Sequence, residues 1–367
     1  MASVIARLRE RADTFEVSVA VTAQHRDMLD QVLDLFEIRP DFDLDLMRHG
    51  QSLTDIMTRS LSGMSSIIEV CRPDVVLVQG DTSTTFAAAL AAFYHRVSVG
   101  HVEAGLRSDD LYQPFPEEVN RRLTSQVASL HFAPTVRSRD RLLAEGAPSR
   151  SVFLTGNTVI DALLDVADRP HEFSEPCARA ALRSGRRIVL VTMHRRENWG
   201  EPIRSVCRAV VRLVHAFPDV HVLFTTHANP DVRSAVTEVL DGVERVDILG
   251  PQQYLPFTKL MEAATLILSD SGGVQEEAPS LGKPVLVLRN VTERPEAVES
   301  GVALLVGTDE AVVFDAAATL LGDGAAYATM AHAINPFGDG HASERIADVL
   351  GAVDLRSPWG PESETTE

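Results

Sequence analysis

Residues 74–122, DVVLVQGDTSTTFAAALAAFYHRVSVGHVEAGLRSDDLYQPFPEEVNRR, constrain the fold more than any other stretch. They read as a strand (75–78), a Gly80-Asp81 turn, a helix (86–94), a second strand (97–102), an acidic loop and a helix opened by Pro116. Apolar runs rich in β-branched residues suit strands buried on both faces, as in a parallel sheet covered by helices. Ligands of open α/β sheets sit beyond the carboxyl ends of the strands. Asp81, Glu103 and Glu117 fall at such ends.

The chain around this stretch repeats the pattern. Residues 3–12 read as a helix, 15–21 as a strand, 24–36 as a helix, and 46–70 as a loop and a helix with Leu53, Ile56, Met57 and Leu61 at helical spacing. Doubly wound domains usually open with a strand whose following loop binds the ligand. Here the domain reads as lacking that first strand, so an unpaired sheet edge is expected. Strands at 129–133 and 151–156 and helices at 138–145 and 159–166 follow. The pattern loosens over 167–186 around Pro170, Pro176, Ser184 and Gly185, and 160–185 is taken as a domain boundary. A second series begins at 187–193, with strands near 220–225, 246–249, 265–269, 284–288 and 303–306. The length of 367 residues also favours two cores. The fold class is therefore α/β, two Rossmann-like domains facing a cleft.

Fifty-two acidic residues against 34 basic give a net charge of −18, which repels phosphate polymers and argues against nucleic acid as partner. A small anion is still admissible, because the nearest groups set a pocket's field. Cys71, Cys177 and Cys207 have no disulfide or zinc spacing, so no metal is expected and a reducing, cytoplasmic setting fits. No signal-peptide core or bilayer-length apolar run is visible, so no membrane partner is expected.

Several groups can carry chemistry. Asp270-Ser271-Gly272-Gly273 lies between a strand and a helix; glycines there let backbone N–H groups approach a diphosphate, although Ser271 could equally be an ordinary N-cap. Glu276 and Glu277, one turn on, could accept bonds from ribose hydroxyls or simply suit the helix N-terminus. His194-Arg195-Arg196-Glu197 ends a strand, where an imidazole can shuttle a proton beside phosphate-neutralising guanidiniums. Glu117 and Arg121 share a helix face with Asn120 beside them, a spacing that often marks a structural pair. Asp81, Glu103 and Glu117 together put three carboxylates near one sheet edge, where neighbours can split acid from base. There is no GxGxxG, P-loop, GxSxG or HExxH, so the usual signals of nicotinamide, kinase, serine-hydrolase and zinc-protease chemistry are missing.

GDTSTTFAAALAAFY, VGHVEAGLR, PFPEEVNRRLT, GNTVIDAL, HRREN, DSGGVQEEAPSLGKPVLVLR and TERPEAV, in this order, resemble the non-hydrolysing UDP-N-acetylglucosamine 2-epimerases over residues 1–350. The resemblance implies a fold like that of the B-type glycosyltransferases, with the terminal helix (about 341–356) crossing back to a first domain of residues 1–165, and a second domain of 166–340; the polar, Pro/Glu-rich composition after Arg356 reads as a flexible tail at 357–367. It implies interconversion of UDP-GlcNAc and UDP-ManNAc by elimination of UDP to a 2-acetamidoglucal and re-addition, with no cofactor, by a homodimer. Asp81, Glu103, Glu117 and His194 become the catalytic candidates. Ser271, Gly272 and Gly273 would hold the diphosphate, Glu277 the ribose and Arg121 the sugar side. Asn198 and Arg294 join the substrate-binding set, and Tyr254 and Phe257 of PQQYLPF lie beside the uracil. Gln24, His25, Arg59 and Arg195 match positions that bind a second UDP-GlcNAc as activator. The family's opening GTRPE-like loop, with an Arg and a later Lys near the phosphates, is not found before the first Met here, so the expectation is either a true start further upstream or weaker phosphate stabilisation. The alternatives are a hydrolysing epimerase releasing UDP and ManNAc, a glycosyltransferase, and an inactive UDP-sugar-binding protein.

Overall fold

The computed structural model describes residues 1–22, 26–46, 48, 50–226 and 229–355. The chain divides into two units, one from Met1–Ala162 with the segment that starts at Phe337, the other Leu163–Pro336. The first unit contains α1 (Ala2–Glu10), β1 (Ala20–Val21), α2 (Arg26–Leu35), β2 (Phe42–Asp43), α3 (Leu53–Cys71), β3 (Val75–Gln79), α4 (Ser83–Tyr94), β4 (Ser98–Val102), α5 (Glu117–Val127), β5 (Leu130–Ala133), α6 (Val136–Ala144) and β6 (Val152–Leu154). Then α7 (Thr158–Ala167) crosses the boundary. The second unit holds α8 (Pro176–Arg183), β7 (Arg187–Met193), α9 (Glu201–Ala216), β8 (Val220–Thr226), α10 (Pro230–Leu240), β9 (Val246–Leu249), α11 (Tyr254–Ala263), β10 (Ala264–Ser269), α12 (Gly272–Glu277), β11 (Val285–Val287), α13 (Pro295–Glu299), β12 (Ala303–Leu305), α14 (Glu310–Gly322) and α15 (Gly324–Ala331). The last helix, α16 (Ala342–Ala352), belongs to the first unit.

All strands pair in parallel. In the first unit β3-β4-β5-β6 form one sheet with β3 at its edge, and β1-β2 form a separate two-stranded ladder. The second unit carries a six-stranded sheet, β12-β11-β10-β7-β8-β9. Every residue of β4 is buried, as expected of a strand covered on both faces. Helix α3 starts at a reciprocal capping box between Ser52 and Asp55 and buries Ile56, Ser60, Met64 and Ile68, one residue per turn. Against it packs the alanine-rich α4, whose Ala88, Ala89, Ala91 and Ala92 share a core with Met64, Ile68 and Val99. On another face Val4, Leu8, Phe132, Ile346 and Leu350 form a core that ties α1 to α16. The second unit's core is built on β7, β8 and β10 and the stripe Ile203, Val206, Val210 and Leu213 of α9.

Two sequence expectations need correction. Of the strand expected over 15–21, only Ala20 and Val21 enter a ladder. Phe15 and Val17 instead pack on the core that joins α1 and α16. Val19 is held by the segment at 41, its N–H donating to the Asp41 carboxylate and its carbonyl accepting from Asp41 N–H at 2.8 Å. The loose stretch 167–186 contains a helix, α8, opened by Pro176 and anchored by buried Ala178 and Ala181. Two small residues are too little apolar surface to show against the surrounding Pro, Ser and Gly.

Candidate active site

In the first unit the carboxyl ends of β3 and β4 lie side by side, because Gln79 pairs with Val102. Gly80 then turns at φ 73°, and Asp81 follows it. Arg121, on α5, donates to Asp81 Oδ2 at 2.5 Å, and Asn120 Nδ2 donates to the Asp81 carbonyl at 2.9 Å. Glu103 is held in the left-handed region, φ 64°, which costs a non-glycine residue about 1 kcal/mol or more and is tolerated where a side chain must be aimed. Its Oε2 accepts from Gln79 Nε2 at 3.4 Å. The alternative structural pair between Glu117 and Arg121 does not form. Arg121 reaches Asp81 and, at 3.4 Å, Glu118. Glu118 is wholly buried, accepting from Ser108 N–H and from Arg122 Nε at 2.8 Å, and so it takes both arginines of the helix. Glu117 is half-buried in the first turn.

In the second unit β10 and β7 run in register, Ser269 beside Thr192, so the residues that follow each strand emerge together. Asp270, fully buried, accepts from the backbone N–H of His194 and Arg195 at 3.0 Å and from Asn198 Nδ2 at 2.9 Å, and lies 3.0 Å from His194 Nδ1. Burial pushes its carboxyl up, but the hydrogen bonds from His194, Asn198 and Arg195 outweigh this and hold it below the ordinary range. An ionised partner at Nδ1 keeps the proton there and leaves Nε2 free to act as a base. Asn198 also donates to the carbonyl of Leu288, the residue that follows β11, which ties the His194 turn to that strand's end.

Downstream, Ser271 is the N-cap of α12 by position, yet its hydroxyl makes no capping hydrogen bond. Tyr254 Oη donates to Glu277 Oε1 at 2.6 Å. Burial raises the Glu277 carboxyl to about 7; the Tyr254 bond opposes the rise and the charge of Glu276 adds to it. Phe257 lies half-buried on the same helix as Tyr254. Arg294 forms an ion pair with buried Glu276, and Thr292 donates to Gln275 Oε1 at 2.6 Å, so the loop before α13 is fastened to α12. Arg195 pairs with Glu293 at 3.4 Å, and Arg59 donates to the Leu46 carbonyl at 3.0 Å. Gln24 and His25 lie outside the described residues. Among the described residues no group of three or more His, Cys, Asp or Glu side chains could hold a metal ion, and no single helix is long and apolar enough to cross a membrane.

Asp270 was legible in the sequence as part of a turn but not as the partner of His194. The signal exists only in the strand register, since 76 residues separate them. Glu118 was hidden for a different reason, because an acid beside a second acid in a first helical turn suits the dipole whether or not it is buried.

The sequence profile described as UDP-N-acetylglucosamine 2-epimerase matches residues 7–351. The UDP-N-acetylglucosamine 2-epimerase of Yersinia pestis is 53% identical over 343 residues, covering 92% of this chain and 91% of that protein. That of Escherichia coli strain K12 is 51% identical over 343 residues, with the same coverage of 92% and 91%. The crystal structure of the UDP-GlcNAc 2-epimerase from Neisseria meningitidis bound to UDP-GlcNAc superposes with a TM-score of 0.83 at 46% identity, covering 95% of each chain. Matches of this length, with the parallel sheets and strand-end residues described above, lead to one conclusion: the chain belongs to the UDP-N-acetylglucosamine 2-epimerase family.

Proposed function

We propose that this protein is an isomerase that interconverts UDP-GlcNAc and UDP-ManNAc. The observation that carries the reading is the likeness, at 46% identity over 95% of the chain, to a structure holding UDP-GlcNAc. Loss of the C2 proton to a base and departure of UDP from C1 create a C1–C2 double bond in a 2-acetamidoglucal. Protonation of C2 from the other face and return of UDP to C1 then give the epimer. The sequence is redox-neutral, in keeping with a chain that has no dinucleotide motif.

Asp81, Glu103 and Glu117 in the first unit and His194 in the second are the acid and base groups of this reading. The His194–Asp270 pair supports it, because a carboxylate at Nδ1 orients the imidazole so that Nε2 can exchange a proton with a bound substrate. Ser271, Gly272 and Gly273 would take the diphosphate: the hydroxyl and first-turn amides are not spent on a cap, and backbone amides at a helix start favour anions. Glu277 would accept from the ribose, with Tyr254 and Phe257 on the uracil side and Arg121 on the sugar side. Asn198 and Arg294, bonded to Asp270 and Glu276, complete the substrate-binding set of this reading. Arg59 and Arg195 remain candidates for a second UDP-GlcNAc; a sigmoidal rate dependence supports this and a simple hyperbola removes it. The working form is taken to be a homodimer, which light scattering would test.

Incubation with UDP-GlcNAc in D2O tests the reaction. Deuterium at C2 with UDP-ManNAc accumulating is expected. Free ManNAc would identify a hydrolysing enzyme, transfer only with an acceptor a glycosyltransferase, and binding without exchange an inactive binding protein.

A further inference from the structure

Three consecutive peptide carbonyls at the carboxyl end of β3 are each held by a different side chain. Thr85 Oγ1 donates to the Gln79 carbonyl at 2.8 Å, His101 Nε2 meets the Gly80 carbonyl at 2.8 Å, and Asn120 Nδ2 donates to the Asp81 carbonyl at 2.9 Å. Gly80 is gripped from its other side as well, since its N–H donates to the Val102 carbonyl at 3.1 Å. The turn so fixed carries Asp81 and lies against Glu103: a Cβ built on Gly80 would sit 3.8 Å from Glu103 Oε2.

Of the three donors, His101 is the one whose chemistry is excessive for a structural clamp. It is wholly buried in β4, directly opposite His131 of β5. A carbonyl can only accept, so Nε2 must carry the proton and Nδ1 a bare lone pair. That Nδ1 is buried with no hydrogen-bond partner among the described residues, and so is Nδ1 of His131. Burial, partly countered by the Gly80 bond, pushes the ring down to about 3, and the nearby His131, Arg107 and Arg121 add to the fall. The imidazole is therefore a fixed neutral donor near neutral pH.

Resting on the epimerase reading above, we propose that His101 is a positioning residue for the reaction: through the Gly80 carbonyl it sets the turn that carries Asp81 and lies against Glu103. It touches neither carboxylate, so its loss acts through geometry, and displacements of about 1 Å at a reacting group cost on the order of 100-fold in rate.

Two amide substitutions separate this role from simple packing. In His101→Gln the side-chain amide nitrogen falls near the Nε2 position and can still donate to Gly80. In His101→Asn it falls near Nδ1 and cannot. Expected is a fall in kcat of about 10- to 100-fold for His101→Asn with KM changed less than about threefold, and a kcat within about fivefold of the parent for His101→Gln. Wild-type kcat in His101→Asn, or an equal fall in both variants, would overturn the proposal. Should neither variant fold, selective 15N labelling of histidine in the unaltered protein decides: an Nε2–H tautomer unchanged from about pH 5.5 to 8.5 supports the clamp, and an Nδ1–H tautomer or a titrating ring refutes it. If the unaltered protein shows no C2 exchange in D2O, the epimerase reading fails by itself, and the tautomer still reports on the clamp.

Discussion

At the scale of single residues, buried carboxylates divide by what donates to them. Asp270 collects two backbone N–H groups, an amide and an imidazole, and stays ionised, whereas Glu277 has one phenol and a neighbouring acid and is held near 7. Asp270→Asn keeps the shape but turns an NH2 towards donors. A drop in kcat on the order of 10²- to 10⁴-fold is expected, with KM for UDP-GlcNAc little changed, by steady-state kinetics. For Glu277 the sign of the pH effect follows from linkage. The unfolded chain ionises this carboxyl at about 4.5 and the folded protein at about 7, so between those values the folded state holds an extra proton. Stability should therefore fall as pH rises through that window, by an amount on the order of 3 kcal/mol. Glu277→Gln should remove that part of the slope in urea titrations run across the window; an unchanged slope would show that another group is responsible.

At the scale of elements, apolar runs and helical spacing made much of the chain legible, and their absence hid the rest. Of the stripe expected on α3 only Ile56 is buried, whereas the apolar runs of β7 and β10 could be read directly, since strands buried on both faces need apolar residues almost throughout. Helix α8, with two buried alanines, could not. Strand 15–21 was misread because apolar residues that face a helix core look the same in sequence as residues that enter a ladder. The start of α16 was not visible as a cap either. His341 makes no side-chain cap, and the first amides of the helix, Ala342 and Ser343, donate instead to Asp161 of α7 at 3.2 and 2.7 Å. Asp161→Ala should cost about 1–2 kcal/mol and speed amide exchange in α16 before other helices, as hydrogen-exchange mass spectrometry would show.

At the scale of the whole molecule, the chain leaves its first unit at α7 and returns at Phe337, so residues far apart in sequence build one core. Ile346 and Leu350 pack with Val4, Leu8 and Phe132. Ile346→Ala should destabilise the first unit by about 2–5 kcal/mol while the second unit's transition stays put, measured by denaturation followed with probes in each unit. A single transition shifted as a whole would mean that the two units unfold together.

The sequence by itself determined the α/β class, most strand positions, the two series of elements and the identities of the strand-end residues, because periodicity and residue type are local properties. Only the tertiary structure decided which of those residues meet. Arg121 could have joined Glu117 and joins Asp81, Arg294 turns to Glu276, and His194 gains Asp270. The physical reason is register: parallel strands separated by tens of residues bring their ends together only once the sheet has formed, and burial then selects the partner of each charge.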